Sequence, residues 1–269
     1  MPKLLGNGVI EFENKPSIIG YAAVGCEDEK NGPFGQQFDM IFNDPMLGKD
    51  SWEQAESELQ KNAVRLAVKK SGKDLSGIDF LFGGDLLNQC AASTFGTMNF
   101  GLPFIGIYGA CSTMALTSIM AATFVDSRLA KNAVAVTSSH FCSAERQFRL
   151  PLEYGGQRTP TAQWTATASG SLVISCEDSN IKITKAAVGR VEDPAITDAN
   201  NMGAAMAPDD VKIRPYPRHE GMVFFYTQIY IKGGLSYYIS FQILSVRPSH
   251  NLMFNPRHAP LLNDGTVMW

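Results

Sequence analysis

Along most of the chain, short apolar runs of strand length alternate with longer stretches in which apolar residues recur three and four apart. Residues 17–25 (SIIGYAAVG) are rich in Ile, Val and Tyr and end in the charged cluster Glu27, Asp28, Glu29 and Lys30, which predicts a strand followed by a polar loop. Gly and Pro punctuate residues 32–49, as in a loop. Asp50-Ser51 then opens the clearest helix, because Ser51 and Gln54 stand at capping-box spacing and Gly72 lies just past the last turn. Ala55, Leu59, Ala63, Val64, Ala67 and Val68 make its inner face, while Glu53, Glu56, Lys61, Arg65 and Lys69 are expected to face water.

Residues 73–77 read as a turn, and residues 78–82 as a buried strand ending in Gly83-Gly84-Asp85. Asn88 and Gln89 lead into a small-residue helical segment over 91–98. A strand over 104–108 follows, then a tight Gly109-Ala110 and Cys111-Ser112-Thr113 at the start of a long apolar helix that runs to Leu129 and is buried on most sides. Residues 132–137 (NAVAVT) form another buried strand, with Ser138, Ser139 and His140 at its carboxyl end. The stretch 142–156 is polar and turn-rich, and 157–167 is loop-like. Residues 170–176 and 181–191 read as an antiparallel hairpin. Alternation of this kind predicts an α/β layered fold with a largely parallel sheet.

The candidate chemistry gathers at the carboxyl ends of these strands, where ligands collect in such folds. Cys111 stands at a strand-to-helix junction, over the first N–H groups and positive dipole end of its helix, a position that favours thiolate and a nearby anion. The alternative is an inert, packed cysteine. His140 is the sharpest partner for Cys111; its alternative is a strand-end histidine satisfied by a backbone carbonyl. Ser112 and Ser139 flank the same crevice, and Arg146 or Arg149 has the planar guanidinium that clamps a carboxylate.

Composition narrows the class. With 269 residues, 45% of them hydrophobic, the chain can bury a sizeable core, and a net charge of −3 gives no reason to expect nucleic acid. Five scattered cysteines lack the Cys/His spacing of a metal site, so no structural metal is expected. The first residues lack the continuous apolar core of a signal peptide.

The series GYAAVG, IDFLFGGDLLNQ, YGACSTMA, AVTSSHFCSAERQFR and NMGAAMAP resembles, in order and over most of the chain from Gly6 to Pro208, the stage V sporulation protein AD family of spore-forming bacteria, a thiolase-like family. The resemblance implies a thiolase fold of two similar α/β halves, with the Cys111 elbow on the first. It implies binding of dipicolinic acid and a part in loading it into the forespore, beside the membrane proteins of that uptake system, on the cytoplasmic side of the forespore or spore inner membrane. A homodimer is implied by the same likeness. Cys111 also matches the acyl-carrying cysteine of thiolases and ketoacyl synthases, so the competing reading is an acyltransferase that takes acyl-CoA and forms an acyl-Cys111 intermediate. No cofactor is expected on the binding reading.

After Pro208 the pattern changes. Residues 1–210 are net acidic, whereas 211–269 are net basic and crowded with aromatics. The expectation is a thiolase-like first half over 1–208 and an atypical tail over 209–269, the second half being truncated, shifted in frame or divergent. His219, His250 and His258 do not stand in the contexts that condensing enzymes use. Residues 222–246 are long enough to span a membrane but are broken by Gln228, Lys232, Gly233 and Gly234, which favours two strands over a span.

Overall fold

The computed structural model describes residues 1–6, 8–32, 34–148 and 165–189, together with two strands at 222–232 and 236–248. In chain order the elements are β1 (Lys3–Gly6), β2 (Val9–Glu11), β3 (Ser17–Cys26), α1 (Glu27–Lys30), β4 (Met40–Phe42), α2 (Trp52–Lys70), β5 (Phe80–Gly84) and α3 (Ala91–Thr97). They continue as β6 (Phe104–Gly106), α4 (Thr113–Asp126), β7 (Asn132–Ser139), α5 (Phe141–Phe148), β8 (Ala168–Ser175), β9 (Ile181–Val188), β10 (Met222–Lys232) and β11 (Ser236–Pro248).

Period-two burial divides one mixed sheet between two helical layers. Phe82, Ala133, Ala135 and Ile174 share a core with Ile119, Ala122 and Val125 of α4. Their neighbours along the strands, Leu81, Val134, Val136 and Val173, share another with Val64, Ala67 and Val68 of α2. Both faces of β5 and of most of β7 are therefore dry, which is why NAVAVT carries no polar alternation. Phe124 adds edge-on ring contacts to Phe80 and Phe82, with centroids 5.1 and 4.9 Å apart, each contributing about 1 kcal/mol beyond area burial.

Helix α2 begins and ends where its caps require. Ser51 Oγ accepts the Gln54 N–H at 3.3 Å, and the Gln54 side chain reaches back to the Asp50 N–H. Gly72, at φ +72°, closes the other end. One residue of its expected wet face is misplaced by the sequence reading: Glu56 is fully buried. Gln60, one turn on, is buried with it. Sites 56 and 60 lie between the apolar positions 55, 59, 63 and 64 on a helix covered by sheet and by neighbouring helices, so they share the buried face.

The sheet is less parallel than expected. Strands β6, β5 and β7 run parallel, but β8 lies antiparallel to both β7 and β3. The anticipated hairpin is also corrected, because β8 and β9 do not pair: the order is β9, β3, β8. The ten-residue β3 takes β8 along nearly its whole length, from Ser17↔Ser175 to Gly25↔Ala168, and so separates it from β9. Short strands β1, β2 and β4 and helix α1 had no signal strong enough to be read. Part of the turn-rich stretch after Cys142 is helical, within α5.

Strands β10 and β11 pair antiparallel from Met222↔Ser245 to Lys232↔Ser236, and β11 continues onto β9. This is the pair of strands expected in place of a membrane span, and among the described residues no helix is long and apolar enough to cross a membrane. The proposed boundary at residue 208 lies outside the described residues.

Where β5 ends, backbone meets backbone. A Cβ on Gly84 would stand 1.9 Å from the Ile107 carbonyl oxygen and 2.5 Å from Thr113 Cγ2, at the root of the Cys111 turn. Gly84→Ala should therefore lower the free energy of unfolding by about 2 kcal/mol in urea titration, the usual scale of overpacking a tight core. A variant as stable as the parent would show that β5 and the turn part without cost.

Candidate functional site

Cys111 is presented by a single turn of 3-10 helix, Ala110–Ser112, placed between β6 and α4. The Ser112 N–H donates to the Gly109 carbonyl at 2.9 Å, and the Thr113 N–H to the Ala110 carbonyl. Two N–H groups expected to face a ligand are thus taken up inside the turn, because the chain tightens to i+3 bonding before the α-helix begins. Thr113 Oγ1 accepts the Gly109 N–H at 3.1 Å and donates to the Ala110 carbonyl at 2.7 Å, bracing the turn from within. Ala110 is held at φ +45°, a left-handed conformation that costs a non-glycine residue roughly 1 kcal/mol or more.

The residue surface of Cys111 is exposed. Desolvation by the surrounding protein nonetheless outweighs a backbone hydrogen bond and pushes the thiol above the ordinary cysteine range. Access and ionisation therefore part company: the residue is open to solvent, and the thiol is uncharged at neutral pH. The expectation of a thiolate is corrected, since burial opposes the charged form and raises the thiol's pKa despite the backbone hydrogen bond. The backbone of β10 runs beside the same turn.

The other nominated residues are placed as follows. Ser112 is fully buried, its hydroxyl donating to the Gly109 carbonyl at 2.7 Å. Ser139 is half-buried and donates to the Ala166 carbonyl at 2.6 Å. His140 takes the alternative reading of a satisfied strand-end histidine. It is 1% exposed, with Nε2 donating to the Pro45 carbonyl at 2.9 Å and Nδ1 accepting the Cys142 N–H at 3.2 Å. Burial lowers its pKa, so it stays neutral. Arg146 is exposed on α5, ion-paired with Glu53 and 5.5 Å over the Trp52 ring. Arg149 lies outside the described residues.

The ends of β5 and β7 do come together, with Asp85 and Ser138 joined through Gln60, Ser93, Ser143 and Glu56, which the sequence reading did not place there. Gln60 Nε2 lies 3.1 Å from the Gly84 carbonyl and 2.8 Å from both Ser93 Oγ and Ser138 Oγ. Ser93 donates through its hydroxyl and its N–H to Asp85, and Ser138 and Ser143 donate to Glu56 at 2.8 and 3.0 Å. The usable signal was the i, i+4 pair Glu56 and Gln60 between apolar neighbours, of which Glu56 was read as wet.

The chain matches the family model described as Stage V sporulation protein AD (SpoVAD) over residues 6–234. It is 43% identical over 206 residues to the Stage V sporulation protein AD of Bacillus subtilis (strain 168), an alignment covering 77% of this chain and 61% of that relative. Among solved structures, 3-oxoacyl-[acyl-carrier-protein] synthase III from Aquifex aeolicus VF5 is 13% identical at a TM-score of 0.46, covering 67% of this chain and 59% of its own. An OleA variant from Xanthomonas campestris is 12% identical at a TM-score of 0.47, covering 76% and 69%. Likeness at that level says nothing of chemistry at Cys111. The extent of the family match, and the identity carried along it, establish that this chain belongs to the Stage V sporulation protein AD family.

Proposed function

We propose that this sporulation protein binds dipicolinic acid and takes part in its uptake into the forespore, with the Cys111 turn as part of the ligand seat. The observation that carries this reading is the accessible, uncharged thiol at the start of α4. Dipicolinate is a planar aromatic dicarboxylate. A thiolate would repel it, whereas a neutral thiol beside a helix N-terminus does not. The membrane proteins of the uptake system are the partners this reading carries, at the cytoplasmic face of the forespore or spore inner membrane, with a homodimer as the working assembly.

The competing acyltransferase has less support among the described residues. Acyl transfer from acyl-CoA needs a thiolate and a base within reach of it. Here the thiol is pushed up, and both ring nitrogens of His140 are held by Pro45 and Cys142.

Calorimetric titration of the folded chain with dipicolinic acid tests the proposal. Saturable binding is expected, weakened roughly tenfold or more by Cys111→Ala, which corresponds to about 1.4 kcal/mol. Absence of heat from a folded sample would overturn it, as would a stable acyl adduct on Cys111 after incubation with acyl-CoA. The protonation of the thiol has its own check. Alkylation of the Cys111 peptide, followed by mass spectrometry, should keep rising with pH through the ordinary cysteine range; a plateau near neutrality would mean an activated thiolate after all.

A further inference from the structure

The buried cluster behind the ends of β5 and β7 holds two carboxyl groups and no cation among the described residues that contact it. Asp85, at the end of β5, accepts three donors: the Leu87 N–H at 2.8 Å, the Ser93 N–H at 2.7 Å and the Ser93 hydroxyl at 2.6 Å. Glu56 has two hydroxyl donors, Ser138 from β7 and Ser143 from α5. The ionised form of Asp85 is therefore the better solvated by the protein, and Glu56 is the place where a proton relieves the pair.

The hydrogen-bond partners allow either state. With Glu56 ionised, Ser143 donates to its Oε2 at 3.0 Å. With Glu56 protonated, the carboxyl can donate to Ser143 Oγ across the same distance, because Ser143 has a second acceptor, the His140 carbonyl, 3.1 Å away. Ser138 keeps donating to Oε1 in both states, and Gln60 keeps donating to Ser138. One proton, taken from water, thus reverses one bond and redirects one hydroxyl without leaving a donor unpartnered.

We propose that Glu56 is a buried one-proton switch, whose protonation turns the Ser143 hydroxyl from the carboxylate to the His140 carbonyl and so sets the hydrogen bonding of the β7–α5 junction. Among the described residues, the other charged and titratable groups on the surrounding elements have partners of their own; Glu145, buried on α5, accepts the Thr165 hydroxyl at 3.4 Å. On α2 itself, Glu53 points to Arg146 of α5. His140, at the end of β7, is neutral and held by Pro45. Cys26 of β3, which packs in the core beside Leu59 of α2, has its thiol pushed up to about 12 and carries no charge. Burial raises the Glu56 pKa to about 7, and among the described residues Asp85 is the charge that adds to it, against the two serine hydroxyls.

The sign follows from linkage. A carboxyl whose pKa rises on folding favours the folded state while protonated, so its contribution is complete below the ordinary value of 4.5 and is lost as pH rises through about 7. Urea unfolding of the full chain between about pH 5 and about pH 8 should show the unfolding equilibrium constant rising by up to roughly a hundredfold, levelling above the Glu56 midpoint. In Glu56→Gln, whose amide supplies a fixed donor and acceptor in the same shape, that component should disappear. Infrared titration of the folded wild type should show a protonated carboxyl band fading with a midpoint near 7 and missing from Glu56→Gln. Equal pH dependence in both proteins would overturn the proposal. Should Glu56→Gln fail to fold, absence of the band from wild type at low pH overturns it equally.

Discussion

The Cys111 turn rests on a backbone contact that only a glycine permits. At Gly84 the end of β5 lies directly against the Ile107 carbonyl and the Thr113 methyl, with no room for a side chain between them. The Ile107 N–H extends the β5–β6 pairing by donating to the Gly83 carbonyl at 2.8 Å, so the chain entering the turn is fixed to the sheet. Thr113 joins the two constraints: its methyl closes on Gly84, and its hydroxyl braces Gly109 and Ala110. Left-handed Ala110 is tolerable because these contacts over-determine it. The position of Cys111 is thereby set by main-chain packing, and chemistry at the sulfur is free to vary without disturbing the fold.

That separation explains what could and could not be read from the amino acids. Helix α2 announced itself through Ser51, Gln54 and Gly72, because caps are local and their partners lie within four residues. The buried runs of β5 and β7 were equally plain, since a strand dry on both faces has few polar residues to blur it. Pairing was less legible. Nothing local to residues 168–188 says that β3, far earlier in the chain, will enter between β8 and β9, and the hairpin reading failed on that non-local fact. Glu56 failed for a related reason: a charged residue on an amphipathic helix is ordinarily wet, and the elements that cover it and carry its partners Ser138 and Ser143 lie over eighty residues on.

The candidate site follows the same division. Cys111 was legible from the strand, glycine and helix around it, yet its protonation depends on how deeply neighbours crowd the sulfur, which no spacing records. His140 was the natural base by position at a strand end. Its ring is instead a structural strut between the loop at Pro45 and the start of α5. Burial is what decides between these roles, since a histidine with both nitrogens engaged and almost no exposed surface has no capacity left for a ligand.

Three strand ends that pointed to one crevice therefore divide the work between them. Those of β5 and β7 turn inward, where Asp85, Ser138 and His140 are consumed by buried bonds, and the β6 end alone turns outward with Cys111. A hydrogen-bonded interior of this kind gains little net stability over apolar packing, because desolvating Glu56 and Asp85 offsets most of what their bonds return. What it adds is specificity: the two N–H groups of Gln60 Nε2 come within reach of the Gly84 carbonyl, Ser93 and Ser138 only when α2, α3, β5 and β7 stand in this arrangement. Since Gly84 is also the residue pressed against the Cys111 turn, the same carbonyl-bearing glycine ties the polar interior to the open end of the molecule.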